Sequence, residues 1–273
     1  SRPSMPVEIG FIDVLGNTLE IAASGNLVVF SMTTLMYFYD VSTPSSPIQL
    51  GSMVTGRVAE DIAIENDLVY YAAGYEGLVI VDASNPAAPV EIGALEFFHP
   101  AYGIAVEGGF AYVAVSRGIR VVDVGDPYNP TEVGSIVTQS SGYIHLALYG
   151  SHAYLAAGDG GLRIYDLADP STPTEVGHAE TQYNHRDVAV IDNYAYLVDP
   201  FGGLGVVDIS TPEDPFEVGF ITTIGRSSNV TAAGDVALVA DALAGLLVIN
   251  SCSAIFVDGF ENGNTSAWSA YLD

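Results

Sequence analysis

The chain is patterned as short apolar runs that Gly, Asn, Asp and Pro interrupt every few residues. One stretch shows this clearly, with four such runs at residues 60–66, 68–74, 77–83 and 89–95. β-Branched and aromatic residues fill the runs, which favours β-strands. No run has the length or the 3.6-residue period of an amphipathic helix. The pattern therefore predicts an all-β protein built from short antiparallel strands.

The four runs belong to a repeat. Glycines recur about 42 residues apart, and two prolines at fixed offsets precede each of them. These anchor glycines are Gly10, Gly51, Gly93, Gly134, Gly177 and Gly219. Four short antiparallel strands in about 42 residues are typical of a propeller blade. The repeat therefore predicts a six-bladed β-propeller with four-stranded antiparallel blades.

In five repeats, an aspartate ends the apolar run that comes just before the proline pair. The five are Asp40, Asp82, Asp123, Asp166 and Asp208. Proline cannot donate to a strand ladder, so the pair belongs in the turn between the third and fourth strands. A preceding aspartate can cap that turn with its side-chain oxygen. We interpret this column as structural, because a reactive group is seldom needed in every repeat.

The two ends of the chain complement each other. It opens on a turn and fourth strand without the three preceding strands, and it closes on GLLVINS (245–251), a third strand without a fourth. We therefore expect the N-terminal strand to complete the last blade and to close the ring, which removes exposed sheet edges. The propeller is predicted to span residues 1–252, with blades near 14–51, 52–93, 94–134, 135–177, 178–219 and 220–252 plus 3–13.

Residues 78–82 read LVIVD, and related runs end at the other aspartates of the column. These residues resemble the LVIVD-repeat family, which is named for this motif. The resemblance covers about residues 3–250 and implies a propeller in a secreted or cell-surface bacterial or archaeal setting. It implies no shared reaction, and no catalytic residue is carried over from it. The first repeat departs most, with MYFYD at 36–40, and the last has Asn250 in place of the aspartate.

A tail follows the last repeat at residues 253–273. Its segment IFVDGFENGNTSAWS resembles a short C-terminal tail, of the form FADGFESGDTSAWS, that occurs on many secreted bacterial proteins and hints at export or surface sorting. Its apolar residues suit docking as an added strand or as an anchor in a groove, on the same propeller or on a neighbouring subunit. The predicted docking residues are Ile255, Phe256, Val257, Phe260, Trp268 and Tyr271.

Charge narrows the classes of partner. The chain carries 33 acidic and 7 basic residues, for a net charge of −26. Nucleic acids and anionic lipid surfaces both need a positive footprint, so neither is expected to bind. No apolar run approaches the roughly 20 residues of a membrane-spanning helix, and no membrane insertion is predicted. The single cysteine, Cys252, excludes an internal disulfide.

Candidate chemistry lies at the start of the first strand of each repeat, which we expect to line the propeller axis. The aligned column there is Glu20, Asp61, Gly103, His145, Asp187 and Asn229. Its carboxylates, amide and imidazole suit Ca²⁺, or a transition-metal ion through His145. Alternatively, these groups bond to loop backbone or face water. A second column, Tyr70, Tyr112, Tyr154 and Tyr196, is most simply packing between blades, with carbohydrate stacking as the alternative.

Together these features favour a non-enzymatic extracellular or cell-surface module for interaction or structure. Its expected partner is a second copy, in a homo-oligomer or filament joined through the tail, or another surface protein. No catalytic residue and no certain cofactor is predicted. Six-bladed propellers with a central metal occur among hydrolases and lactonases, so a metal-dependent enzyme at the channel mouth is one alternative. A binder of carbohydrates or other ligands that uses exposed aromatic residues such as Tyr75, Phe201 and Tyr102 is another.

Overall fold

The computed structural model describes residues 8–14, 18–138, 145–181, 184–201, 203–223, 225–234, 236–243 and 245–250. Strands and turns make up this part of the chain, in which no helix is assigned. The first three blades are built from β1 (Ile21–Ser24), β2 (Leu27–Met32), β3 (Leu35–Asp40), β4 (Ile48–Val54), β5 (Asp61–Glu65), β6 (Leu68–Ala72), β7 (Leu78–Asp82), β8 (Val90–Leu95), β9 (Ala101–Glu107), β10 (Phe110–Val115), β11 (Gly118–Asp123) and β12 (Thr131–Val137). The other three are built from β13 (His145–Tyr149), β14 (His152–Ala156), β15 (Leu162–Asp166), β16 (Thr174–Ala179), β17 (Asp187–Ile191), β18 (Tyr194–Asp199), β19 (Gly203–Asp208), β20 (Phe216–Thr222), β21 (Ser227–Ala233), β22 (Val236–Asp241) and β23 (Gly245–Asn250).

The strands form six antiparallel sheets in chain order. Five sheets have four strands each, and the described part of the sixth has three, β21-β22-β23. The first strand of each sheet lies innermost and contacts the first strand of the next, in the order β1, β5, β9, β13, β17 and β21. The protein is thus an all-β, six-bladed propeller, as the repeat predicts.

The antiparallel register gives the propeller two faces. The inner strands start on one face, which also carries the connections between blades and those between second and third strands. We call it the loop face. The opposite face carries the turns that join the first strand to the second and the third to the fourth. We call it the turn face.

The aspartate column lies on the turn face. Each of the five carboxylates accepts a hydrogen bond from the backbone N–H two residues further on, at 2.7–2.9 Å. These bonds stabilise the ionised carboxylate and hold the pKa of Asp40 and Asp82 below the ordinary value. The five aspartates are therefore bonded to the backbone of the turns that lead into the fourth strands.

The anchor glycines are explained by the neighbouring blade. A Cβ atom built on Gly51 would overlap the carbonyl oxygen of Pro86, which belongs to the next blade. Gly93, Gly134 and Gly177 meet the carbonyl oxygens of prolines in the same way. A β-bulge precedes each of these glycines, so that the residue before the glycine has no partner in the ladder. The anchor glycine of one blade and the proline of the next blade thus form a single contact between blades.

Apolar clusters fill the seams between consecutive blades. Five such clusters join blade 1 to 2, 2 to 3, 3 to 4, 4 to 5 and 5 to 6. The tyrosine column lies inside them, with Tyr70, Tyr112, Tyr154 and Tyr196 no more than 4% exposed. These rings pack between blades, and their burial leaves no face for a sugar to stack on.

Closure of the ring by the N-terminal strand stays a prediction. Residues 8–14 are described but carry no strand assignment. One contact supports closure, because a Cβ atom on Gly10 would overlap the carbonyl oxygen of Pro44 in the first blade. Gly10 thus meets the first blade as Gly51 meets the second. The tail and its six docking residues lie outside the described residues, so tail docking also stays a prediction.

Among the described residues, no helix is long and apolar enough to cross a membrane.

Candidate functional site

The predicted polar column lies on the loop face, at equivalent positions of the inner strands. Asp61, His145 and Asp187 are the first residues of β5, β13 and β17. Each pairs with the second strand of its own blade at the same step of the ladder. Glu20 directly precedes β1, and its carbonyl oxygen accepts the corresponding bond from the backbone N–H of Ser31. The column therefore surrounds the mouth of the central channel.

Three of these side chains meet in the channel. Nδ1 of His145 lies 3.8 Å from Oδ1 of Asp187 and 4.0 Å from Oδ2 of Asp61. The three residues come from the fourth, fifth and second blades, so the channel is narrow enough for opposite blades to reach one imidazole. All three side chains are largely buried, between 13% and 23% exposed.

Backbone hydrogen bonds occupy both carboxylates. Asp61 accepts from the N–H groups of Ile62 and Ile104, each at 2.8 Å. Asp187 accepts from Val188 at 2.9 Å and Val230 at 2.8 Å. In each case one bond stays within the strand and the other reaches the inner strand of the next blade. Both aspartates therefore connect neighbouring blades, whatever else they do.

Burial at the mouth raises the pKa of three of its carboxyl groups. Burial raises the pKa of Glu20 to about 8, with further contributions from the negative charges of Asp61, Asp187 and Glu60. Burial also raises the pKa of Asp61 to about 6, although His145 and two backbone bonds act against it. The pKa of Asp187 is raised for the same reason. Glu20 is thus largely neutral at pH 7, and the mouth carries less negative charge than its composition indicates.

The metal prediction stays a prediction. Among the residues that the structure describes, no group of three or more His, Cys, Asp or Glu side chains is arranged to hold a metal ion. Gly103 contributes no side chain, and Asn229 is exposed to solvent. The oxygens of Asp61 and Asp187 are already engaged by N–H donors. A Ca²⁺ site would require those bonds to be shared or broken, and a metal-dependent hydrolase or lactonase would require the same.

Other carboxylates on the loop face also bond to backbone. Asp199 is 3% exposed and accepts from the N–H groups of Asn184 and Phe201, at 2.6 and 2.5 Å. Asp241, its equivalent in the sixth blade, is equally buried and accepts from Gly225 and Leu243. Each of these carboxylates ties an interblade loop to the neighbouring turn. They are buried supports of the loop face rather than groups open to a ligand.

Large apolar side chains are exposed on the loop face. Four large side chains project from its connections and are 77–91% exposed: Tyr75, Phe98, Phe201 and Leu243. We call these four residues the loop-face rim. The guanidinium carbon of Arg226 lies 4.4 Å from the centroid of the Phe201 ring, which is a cation–π contact.

Sequence reasoning found only part of this rim. It picked out Tyr75 and Phe201 as aromatic residues in loops, together with Tyr102, which is only half exposed. It missed Phe98 and Leu243, since an apolar residue in a loop can equally turn inward, as Phe97 does at 8% exposure. The signal that could have found Phe98 is the Phe97–Phe98 pair, because neighbouring side chains in extended chain point to opposite sides.

Comparison with known proteins supports the fold. A family model described as LVIVD repeat matches residues 56–96, 100–138, 144–181 and 184–223, which together exceed half of the chain. No curated protein matches the sequence.

Three solved structures illustrate this likeness. The Cps50 (Swd1) β-propeller domain of Myceliophteria thermophila is 12% identical, with a TM-score of 0.70 over 86% of this chain and 82% of that one. The computationally designed protein Ika8 is 13% identical, with a TM-score of 0.67 over 86% and 71%. BamB from Moraxella catarrhalis is 14% identical, with a TM-score of 0.60 over 85% and 68%. At these identities the likeness shows the fold alone.

A propeller of this kind fits an interaction module in general: a rigid scaffold that presents two faces of loops and turns. The matched repeats cover most of the second to fifth blades and include the motif at residues 78–82. The chain belongs to the LVIVD repeat family.

Proposed function

We propose that the protein is a non-enzymatic interaction module that assembles head-to-tail through its C-terminal tail. The observation that carries this proposal is the opposite placement of two apolar features. The rim of Tyr75, Phe98, Phe201 and Leu243 lies on the loop face. The described chain ends at Asn250, the end of a third strand, on the turn face. The apolar tail therefore starts from one face while the apolar rim lies on the other.

Exposed apolar groups of this size favour association. Side chains such as Phe98, at 91% exposure, gain about 25 cal/mol for each Å² of apolar surface that a partner covers. Large exposed apolar side chains gathered on one face of a soluble protein commonly mark an interaction surface. Protonation of Glu20 removes part of the negative charge of the polar mouth between them, and backbone hydrogen bonds occupy Asp61. The loop face is thus better suited to a protein surface than to a reaction at the channel.

A contact between opposite faces is heterologous, and it produces rings or open fibres according to whether the rotation closes. The net charge of −26 opposes assembly by repulsion between copies. Salt screens that repulsion, so we expect higher ionic strength to strengthen an assembly that apolar contacts drive. We further propose a secreted or cell-surface location in a bacterium or archaeon, where the partner is a second copy or another surface protein.

The first test is the native mass of the full chain, measured by light scattering and negative-stain microscopy. We expect particles larger than the 28.6 kDa monomer, and we expect deletion of residues 253–273 to return a folded monomer. A full chain that stays monomeric at every salt concentration overturns the proposal. Unchanged particles after the deletion remove the tail as the connector.

A second test addresses the rim. Phe98→Ser and Phe201→Ser should each raise the concentration at half-assembly about tenfold, since exposed aromatic anchors often dominate interfaces. Val133→Ser is the control, because Val133 is 37% exposed within an outer strand rather than at a strand end on either face. Equal effects of the three substitutions would contradict a role for the loop face.

Carbohydrate binding is the second candidate, because Tyr75 and Phe201 offer exposed ring faces. A glycan array probed with the tail-deleted protein separates the two functions. Glycan binding that Tyr75→Ser or Phe201→Ser abolishes would favour this second candidate.

A further inference from the structure

One seam of the propeller differs from the other five. Equivalent residues of the third strands face the next blade, and in the first five blades they are completely buried: Met36, Leu78, Ile119, Leu162 and Leu204. In the sixth blade the equivalent residue is Leu246, which is 54% exposed. It faces the seam between blade 6 and blade 1.

The other side of this seam shows the same difference. Equivalent residues of the inner strands face the preceding blade and are 4–9% exposed in blades 2 to 6: Ile62, Ile104, Leu146, Val188 and Val230. In the first blade the equivalent residue is Ile21, which is 68% exposed. Apolar side chains thus face the seam between blades 6 and 1 from both sides, and among the described residues they are not packed together as elsewhere. We call this the open seam.

A cavity lies on the loop face between the N-terminal segment and the first blade, where Ile21 faces the open seam. Its apolar lining includes Ile12, Val14, Leu19, Ile21 and Phe30, and Glu20 stands at the same wall. The apolar atoms dominate, so the cavity favours aliphatic or aromatic side chains over water. The high pKa of Glu20 leaves its carboxyl group mainly uncharged at neutral pH, so no strong charge opposes an apolar occupant.

The chain has one segment whose chemistry fits this cavity. Ile255, Phe256 and Val257 form an apolar run shortly after Asn250. Runs of this type supply the apolar contacts in the other seams, where LVIVD at β7 packs on both neighbours. We propose that residues 253–273 of one copy dock into the open seam of the next copy. This proposal rests on the head-to-tail assembly proposed above and names its receptor.

One geometric fact favours docking between copies over docking within one. The third strand β23 ends on the turn face, whereas the cavity lies on the loop face, one strand length away. Six residues of strand span roughly 20 Å, so Phe256 could reach the cavity of its own propeller only by running back along the edge of β23. In a head-to-tail stack, by contrast, the turn face of one copy meets the loop face of the next.

Disulfide cross-linking of the full chain tests the proposal. In a Cys252→Ser background, copies carrying Ile21→Cys are mixed with copies carrying Phe256→Cys and oxidised. We expect most of the protein to become a covalent dimer of the two variants. Val90→Cys in place of Ile21→Cys is the control, because Val90 is 57% exposed but begins an outer strand on the turn face. It should give at least tenfold less dimer.

The remaining outcomes separate this proposal from the proposed function. Oligomers that require the tail, without cross-linking at Ile21, would overturn the open seam as the receptor and leave head-to-tail assembly standing. A monomeric full chain would overturn both. A double variant with Ile21→Cys and Phe256→Cys that forms only an internal disulfide would show docking within one copy and would overturn docking between copies.

Discussion

The seam between blades 5 and 6 and the seam between blades 6 and 1 are built from the same repeat and pack differently. Leu204 and Val230 close the first seam, with exposures of 0% and 6%. Their equivalents at the second seam, Leu246 and Ile21, remain more than half exposed. The repeat therefore decides which residue faces a seam, but not whether the seam is packed.

The physical difference lies in how the two blades are joined. Consecutive blades are linked by a short loop, so the entropy lost on bringing them together is small. The three strands β21, β22 and β23 of blade 6 come from the opposite end of the chain from blade 1, and no short loop joins them to β1. Their contact has to be supplied by the closing segments, which gives the last seam the lowest expected stability and the greatest freedom to accept another chain.

The largest expected effect comes from a matched pair of truncations. Leu204→Ala should lower the free energy of unfolding by about 2–5 kcal/mol, because it leaves a cavity in a packed seam. Leu246→Ala should lower it by less than about 0.5 kcal/mol, because an exposed leucine loses little packing. Urea denaturation of the tail-deleted protein, monitored by tyrosine fluorescence, measures both losses of free energy.

Equal losses from these two variants would contradict the comparison and would show that the open seam is packed like the others. The Leu246→Ala variant can also be compared between the full chain and the tail-deleted protein. If assembly buries Leu246, then Leu246→Ala should destabilise the oligomer by more than it destabilises the tail-deleted monomer.

The second comparison concerns the outer edge of the seams. Gly93→Ala should lower the free energy of unfolding by about 1–3 kcal/mol, because the new methyl group overlaps the Pro127 carbonyl and the turn has to move. Gly10→Ala should give a similar loss, since its methyl group meets Pro44 in the same way. Thermal denaturation of both variants measures these losses.

Gly25→Ala is a useful control, because no atom lies within 4 Å of a Cβ built there, although its φ of 58° adds local backbone strain. A Gly10→Ala variant with unchanged thermal stability would mean that the N-terminal segment does not take the place of a fourth strand. In that case the open seam would extend to the outer edge of the blade.

Sequence could predict the blades and the proline turns because both follow from residues a few positions apart. The run at 78–82 specifies a buried strand, and Asp82 caps a turn only two residues away. The role of Gly93 is harder to predict from the sequence. Its period is visible, but the carbonyl of Pro127 that makes glycine necessary belongs to the next blade.

The limit of sequence-based prediction is clearer at the channel mouth. The aligned column identifies Asp61, His145 and Asp187 as neighbours of the axis. It says nothing about the backbone groups of Ile104 and Val230, which engage the two carboxylates from the next blade. Those bonds depend on the distance between inner strands, which is set by packing around the whole ring. The sequence therefore identifies the ring, while its chemistry depends on geometry that no local pattern encodes.

The smallest expected effect tests the polar wall of the open seam. Burial and nearby carboxylates raise the pKa of Glu20 from its ordinary 4.5 to about 8. The folded protein therefore binds this proton more tightly than the unfolded chain. Stability from Glu20 is fully present below pH 4.5 and is lost as the pH rises through 8. Glu20→Gln cannot ionise, so the variant should match the wild type near pH 4.5 and exceed it in Tm by pH 9.

Other groups titrate over this range, and the difference between the two proteins removes them. Burial lowers the pKa of His185 to about 4, which costs both proteins stability as the pH falls from 6.5 to 4. Glu107→Gln, at an exposed site on the turn face, controls for the change of a carboxylate to an amide. A Tm difference between Glu20→Gln and wild type that stays constant from pH 4.5 to 9 would mean that Glu20 is solvated, and that the open seam is wetter than its lining indicates.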